Sequence, residues 1–105
     1  MPVQIIENWT SIHGAVTKCT ASSDLKGFYR VEVAVDQAEA VTGYPNLLEQ
    51  ARDTLLVIHF PEELVMKYEI IPESGIQCRV RLAGLGRVFV HHEHIMVESP
   101  PEVPD

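Results

Sequence analysis

Against 15 acidic side chains this 105-residue chain sets only 8 lysines and arginines, and most of these gather around two stretches. Lys18, Lys26 and Arg30 flank the first, Arg79, Arg81 and Arg87 flank the second, and only Arg52 and Lys67 lie elsewhere. Phe28 precedes Arg30 by two positions, and Phe89 follows Arg87 by two. A cation that meets a phosphate and a ring that stacks on a base are what single-stranded nucleic acid requires. Brought together, Lys18, Lys26, Phe28, Arg30, Arg79, Arg81 and Arg87, with Phe89 as a second platform, would form a basic cleft on an acidic body. The competing reading makes them solvated side chains of antiparallel strands, with Arg79 and Arg81 paired across to Glu32 or Glu93.

Other chemistry-bearing residues point less far. In an extended His91-His92-Glu93-His94 segment, His92 and His94 share one face and His91 and Glu93 the other. Two imidazoles on one face can share a cation, which makes His92 and His94 the metal candidates. A third ligand would have to be His13 or His59, and no spacing brings either close, so no metal is expected. Cys19 and Cys78 are too few for a disulfide scaffold and lack zinc or redox spacing. They read as reduced thiols, with a bridge between neighbouring strands left to geometry. No nucleophile with a base and an orienting acid can be read. Gly84-Leu85-Gly86 lacks the strand-loop-helix setting of a phosphate loop, and Glu62-Glu63 reads as an acidic helix start. The expectation is a protein without catalytic residues or cofactor.

The elements that would position these side chains are mostly strands. Residues 9–20 are rich in β-formers and interrupted by Gly14, as in a strand that bends at a barrel corner. Small and polar residues over 21–27 make a turn into 28–35, where Tyr29, Val31, Val33 and Val35 alternate with Phe28, Arg30, Glu32 and Ala34. Residues 36–53 read as a long decorated connection, with a turn at Gly43-Tyr44-Pro45-Asn46 and one or two helical turns over 47–52 capped by Asn46. A third, apolar strand covers 54–60. Pro61 then starts a two-turn helix over 61–68, with carboxylates early and Lys67 late. Strands over 76–82 and 87–97 complete the set, joined through Gly84-Leu85-Gly86. The domain is expected over 1–97, followed by an acidic, proline-rich disordered tail over 98–105.

The order β-β-β-α-β-β over residues 6–97 resembles the oligonucleotide/oligosaccharide-binding (OB) fold. That resemblance implies a mainly β, five-stranded Greek-key barrel with one short helix between strands three and four. It also implies ligand-binding loops between strands one and two and between strands four and five. The 36–53 connection is longer than in the smallest barrels and leaves an α+β sheet of similar order open.

Hydrophobic residues make up 46% of the chain, enough for one core, and a net charge of -7 disfavours long-range attraction to anionic lipid or phosphate. No basic leader opens the sequence and no run approaches the ~18 apolar residues of a membrane span, so a cytoplasmic protein without membrane contact is expected. The leading functional expectation is a small non-enzymatic module that docks to a protein partner or to a second copy of itself. Its contacts would be a barrel edge, Leu47, Leu48, Leu64 and Val65, each of which could equally pack internally. Single-stranded nucleic-acid binding through the basic and aromatic cleft is the alternative.

Overall fold

Gly14 is where the first strand turns its corner. In the computed structural model, which describes residues 7–46 and 48–99, a Cβ at this position would run into the Ala34 carbonyl oxygen and come within 2.8 Å of Val33 Cγ1. The pairing register shifts on either side of it, between His13 and Gly14 and between Val16 and Lys18. Strand β1 (Thr10–Ala21) therefore bends enough to serve two neighbours. Its whole length pairs with β2 (Phe28–Ala40), and its first half, Thr10 to Ala15, also pairs with β4 (Gly75–Leu82).

The remaining elements are β3 (Leu55–Pro61), the helix α1 (Glu62–Lys67) and β5 (Val88–Glu98). Two 3-10 turns, Glu49–Ala51 and Gly84–Gly86, lie in the connections. The protein is mainly β, and its strands close into one barrel in the order β1-β2-β3-β5-β4. All neighbours are antiparallel except β3 and β5, which meet in parallel through the single pair His59 and Phe89.

Alternation supplies the core. Val31, Val33 and Val35 of β2 point inward with Ile12 and Val16 of β1, Ile58 and Phe60 of β3, Ile76 and Val80 of β4, and Val88 and Ile95 of β5. Each fully buried side chain of this size contributes about 1.5–3 kcal/mol. The barrel is plugged by α1, whose Leu64 and Val65 are only 7% and 5% exposed. The helix face expected to meet a partner is thus spent on the core.

Asn8, ahead of β1, pairs like a strand residue through its side chain. Its Nδ2 donates to the Leu82 carbonyl and its Oδ1 accepts from the Leu82 N–H, both at 2.9 Å.

Several expectations need correcting. The connection after the second strand begins later than residue 36, because β2 runs on to Ala40 to pair with Thr10 to His13. Asn46 does not cap a helix; its Oδ1 accepts from Thr10 Oγ1 at 2.7 Å, and the helical part is the single turn Glu49–Ala51. Leu47 lies outside the described residues, and Leu48 is partly buried against the core. The last strand extends to Glu98, and residues 100–105 of the expected tail lie outside the described residues.

Both cysteines are free. Cys78 lies opposite Ile12 and Cys19 opposite Val31, which separates them by seven positions along β1. At ~3.3 Å per residue that is well beyond the ~7 Å a bridge can span. No helix among the described residues is long and apolar enough to cross a membrane.

Candidate nucleic-acid interface

Register determines which outward side chains meet. Thr20 lies opposite Arg30, Arg30 opposite His59, His59 opposite Phe89, and Phe89 opposite Arg81. One transverse row thus crosses all five strands. Its neighbours along each strand, Val31, Ile58, Phe60, Val80 and Val88, are buried, which turns the row to the outside. Phe28, opposite Pro61 at the next outward position, brings its ring to 5.8 Å from that of Phe89, edge to face at 79°. His59 lies 5.4 Å from Phe89 on the other side.

Two clefts meet at His59. One, of about 350 Å³, is lined by Trp9, Phe28, Pro61, Arg81, Phe89 and His91 among others. The other, of about 400 Å³, lies between the β1–β2 and β4–β5 loops and is lined by Asp24, Arg30, Leu85 and Arg87. His59 is only 7% exposed, and its Nδ1 is sealed from solvent without a hydrogen-bond partner. Burial holds its pKa below the ordinary value; Arg87 and Arg30 push the same way, and Asp24 opposes them. The ring is therefore neutral at pH 7. The less costly tautomer keeps the proton on Nε2, because a buried N–H without an acceptor is the worse orphan.

Most of the cations are not neutralised. Among the described residues the side-chain ion pairs are His13 with Asp36, Arg52 with Asp53, Arg87 with Asp24, and His92 with Glu93. None of them takes Lys18, Lys26, Arg30, Arg79 or Arg81, so the expected pairing of Arg79 and Arg81 with Glu32 or Glu93 does not form. Lys18 shares a small cleft with Arg30 and Glu32, next to the main row. Lys26 is exposed in the β1–β2 loop. Arg79 stands apart, in a cleft with Ser11, Glu93, His94 and Met96.

The histidine segment departs most from its expected geometry. From Cys78 to Val80 is two residues on β4, whereas their partners Ile95 and Val90 are five apart on β5. His91 to His94 therefore bulge out opposite Arg79, and simple alternation fails. His92 and His94 do not form the expected pair on one strand face. His91 sits between them, its ring stacked at 5.1 Å on His92 and edge-on at 4.6 Å to His94. Trp9 lies 4.7 Å away from the same ring.

His91 Nδ1 accepts from the Glu93 N–H at 3.0 Å. Burial first, then the neighbouring His94 and His92, hold His91 below its usual pKa. Arg79 Nη1 approaches His94 Nε2 at 3.3 Å. Among the described residues no group of three or more His, Cys, Asp or Glu is arranged to hold a metal ion.

The structure brings together Phe28, Arg30, Arg81, Arg87 and Phe89 of the expected set. It adds Trp9, Asp24, His59 and His91. His59 could not be found from spacing because its place in the row depends on the one parallel contact in the barrel. Comparison with family models, with curated proteins and with solved structures finds no match to this chain, so no relative's role can be carried onto these residues.

Proposed function

We propose that the protein is a non-enzymatic binding module of the OB type that holds single-stranded nucleic acid across the Phe28, Phe89 and Arg81 face. The strand order β1-β2-β3-β5-β4, with β3 and β5 parallel and α1 between β3 and β4, is the order of such a barrel. Its ligand loops correspond here to the β1–β2 and β4–β5 connections, which flank the aromatic row.

The observation that carries the reading is that Phe28 and Phe89, from different strands, adjoin on a row that also holds Arg30 and Arg81. A stacked base contributes about 1–3 kcal/mol, and a ring accepts any base, so the site would be tolerant of sequence. The net charge of -7 opposes binding away from this patch and makes the interaction short-ranged. The docking reading is weaker, since Leu64 and Val65 are buried.

The test is fluorescence anisotropy of a labelled single-stranded oligonucleotide, titrated at low and moderate salt. Binding that weakens steeply with salt is expected, and Phe89→Ala and Arg81→Ala should each weaken it roughly tenfold, the effect of one lost base stack or charge-assisted contact. Failure to bind at low salt would refute the reading and return protein docking to first place.

A further inference from the structure

Arg87 already holds an anion, and that anion belongs to the protein itself. Asp24 Oδ2 accepts from Arg87 Nη2 at 3.1 Å, joining the β1–β2 loop to the β4–β5 loop across the cleft that contains Arg30 and His59. The carboxylate is aimed there. Its Oδ1 accepts from Ser22 Oγ at 2.9 Å, and Ser22 Oγ accepts from the Leu25 N–H at 3.1 Å.

The loop carrying Asp24 is fastened at its base, where the Ser22 N–H donates to the Phe28 carbonyl at 2.9 Å. On the facing side the Ala83 N–H donates to the Arg87 carbonyl at 2.7 Å, closing a turn whose tip, Leu85, is 90% exposed. Both partners remain reachable from solvent, the Arg87 side chain being 31% exposed and that of Asp24 58%. A guanidinium offers the same fork of donors to a phosphate as to a carboxylate. Beside it, His59 Nδ1 is a polar atom that the chain itself leaves without a partner.

We propose that Asp24 is a built-in competitor: it occupies Arg87 in the free protein, and a phosphodiester of a bound single strand displaces it. Arg87 and Arg30 then form a phosphate subsite beside the Phe28 and Phe89 stacking surface. This rests on the nucleic-acid reading above and adds a selection rule to it. Exchanging one anion for another on Arg87 yields little net affinity, so a free phosphate has little to gain. A strand that also stacks on Phe28 and Phe89 can displace Asp24 because the rings supply the difference.

The experiment uses the full chain, a short labelled thymidine single strand and a double-mutant cycle. Asp24→Asn keeps the shape and the acceptor for Ser22 but removes the charge that holds Arg87. It should bind roughly two- to fivefold tighter, the scale of an exposed ion pair released. Its dependence of log affinity on log salt should steepen by about 0.7, one additional phosphate contact. Ser22→Ala, which alters no charge but loosens the aim of Asp24, should shift affinity in the same direction by less.

In an Arg87→Ala background the gain from Asp24→Asn should vanish. A gain that persists there, or an Asp24→Asn protein that binds like the parent, overturns the proposal, because Asp24 is then only a surface negative charge. Asp53→Asn is the control, since Asp53 lies at the other end of β2, its N–H donating to the Val35 carbonyl at 2.8 Å. If the parent and Asp24→Asn both fail to bind at low salt while Trp9 fluorescence reports folded protein, the nucleic-acid reading itself has failed.

Discussion

Replacing Gly14 by alanine tests the claim that β1 bends because this residue has no side chain. Gly14 has no positive φ, so alanine suits its backbone, and removing a glycine from a strand ordinarily stabilises by about 0.4–1 kcal/mol through the unfolded chain. The structure predicts the opposite sign. The added Cβ would collide with the Ala34 carbonyl oxygen and lie 2.8 Å from Val33 Cγ1. The first obstacle is backbone in the β1–β2 ladder, and the second belongs to a fully buried valine, so neither yields without disturbing pairing or core.

Forced overpacking of this kind costs about 1–3 kcal/mol, and a lost ladder hydrogen bond adds about 1. Set against the ordinary gain, the net loss is about 1–3 kcal/mol. Urea unfolding followed by Trp9, the one tryptophan of the chain, should show a lower midpoint at unchanged m-value. Gly84→Ala is the comparison, because its Cβ would meet nothing within 4 Å and it too lacks a positive φ, so it should be neutral or slightly stabilising. A Gly14→Ala protein as stable as the parent would refute the steric account of the bend.

Two further outcomes follow from buried groups. His59 is held below its ordinary pKa in the fold, so as pH falls below about 6.5 the unfolded chain takes up a proton that the folded one refuses, and stability drops. The melting temperature should therefore fall between pH 7 and pH 5, and His59→Phe should flatten that slope; an equally steep slope in the variant would remove His59 as its source. The thiols should divide sharply in a disulfide-exchange assay. Cys78, buried and pushed up to about 12, should react only on unfolding, while half-buried Cys19 should react in the native protein; native reaction of both would contradict the placement of Cys78 in the barrel interior.

What could be read from the chain alone was whatever depends on local pattern. The alternation around Val31 and Val80, Gly14 as a corner and Pro61 at a helix start each rest on one segment and one physical preference. What escaped depends on partners distant in sequence. Asp36-Gln37-Ala38-Glu39-Ala40 looks like a connection because its composition suits a turn or helix, yet pairing with Thr10 to His13 outweighs that preference. The bulge at His91 to His94 exists because β5 must span a single residue of β4 with four of its own, which no alternation in β5 announces. In the site, Phe28, Phe89 and the arginines could be named by residue type. Trp9 and His59 could not be, since they enter it only through contacts made when the barrel closes.

A ring of strands is only as closed as its shortest junction, and here that junction is one pair of residues, His59 and Phe89. The same two side chains adjoin at the centre of the proposed ligand face. Anything laid across them bridges the two sides of the gap, so occupancy and hoop integrity become one equilibrium viewed from two directions. Drift in sequence is constrained accordingly: positions 59 and 89 cannot be tuned for a ligand without also retuning how firmly the cylinder stays shut.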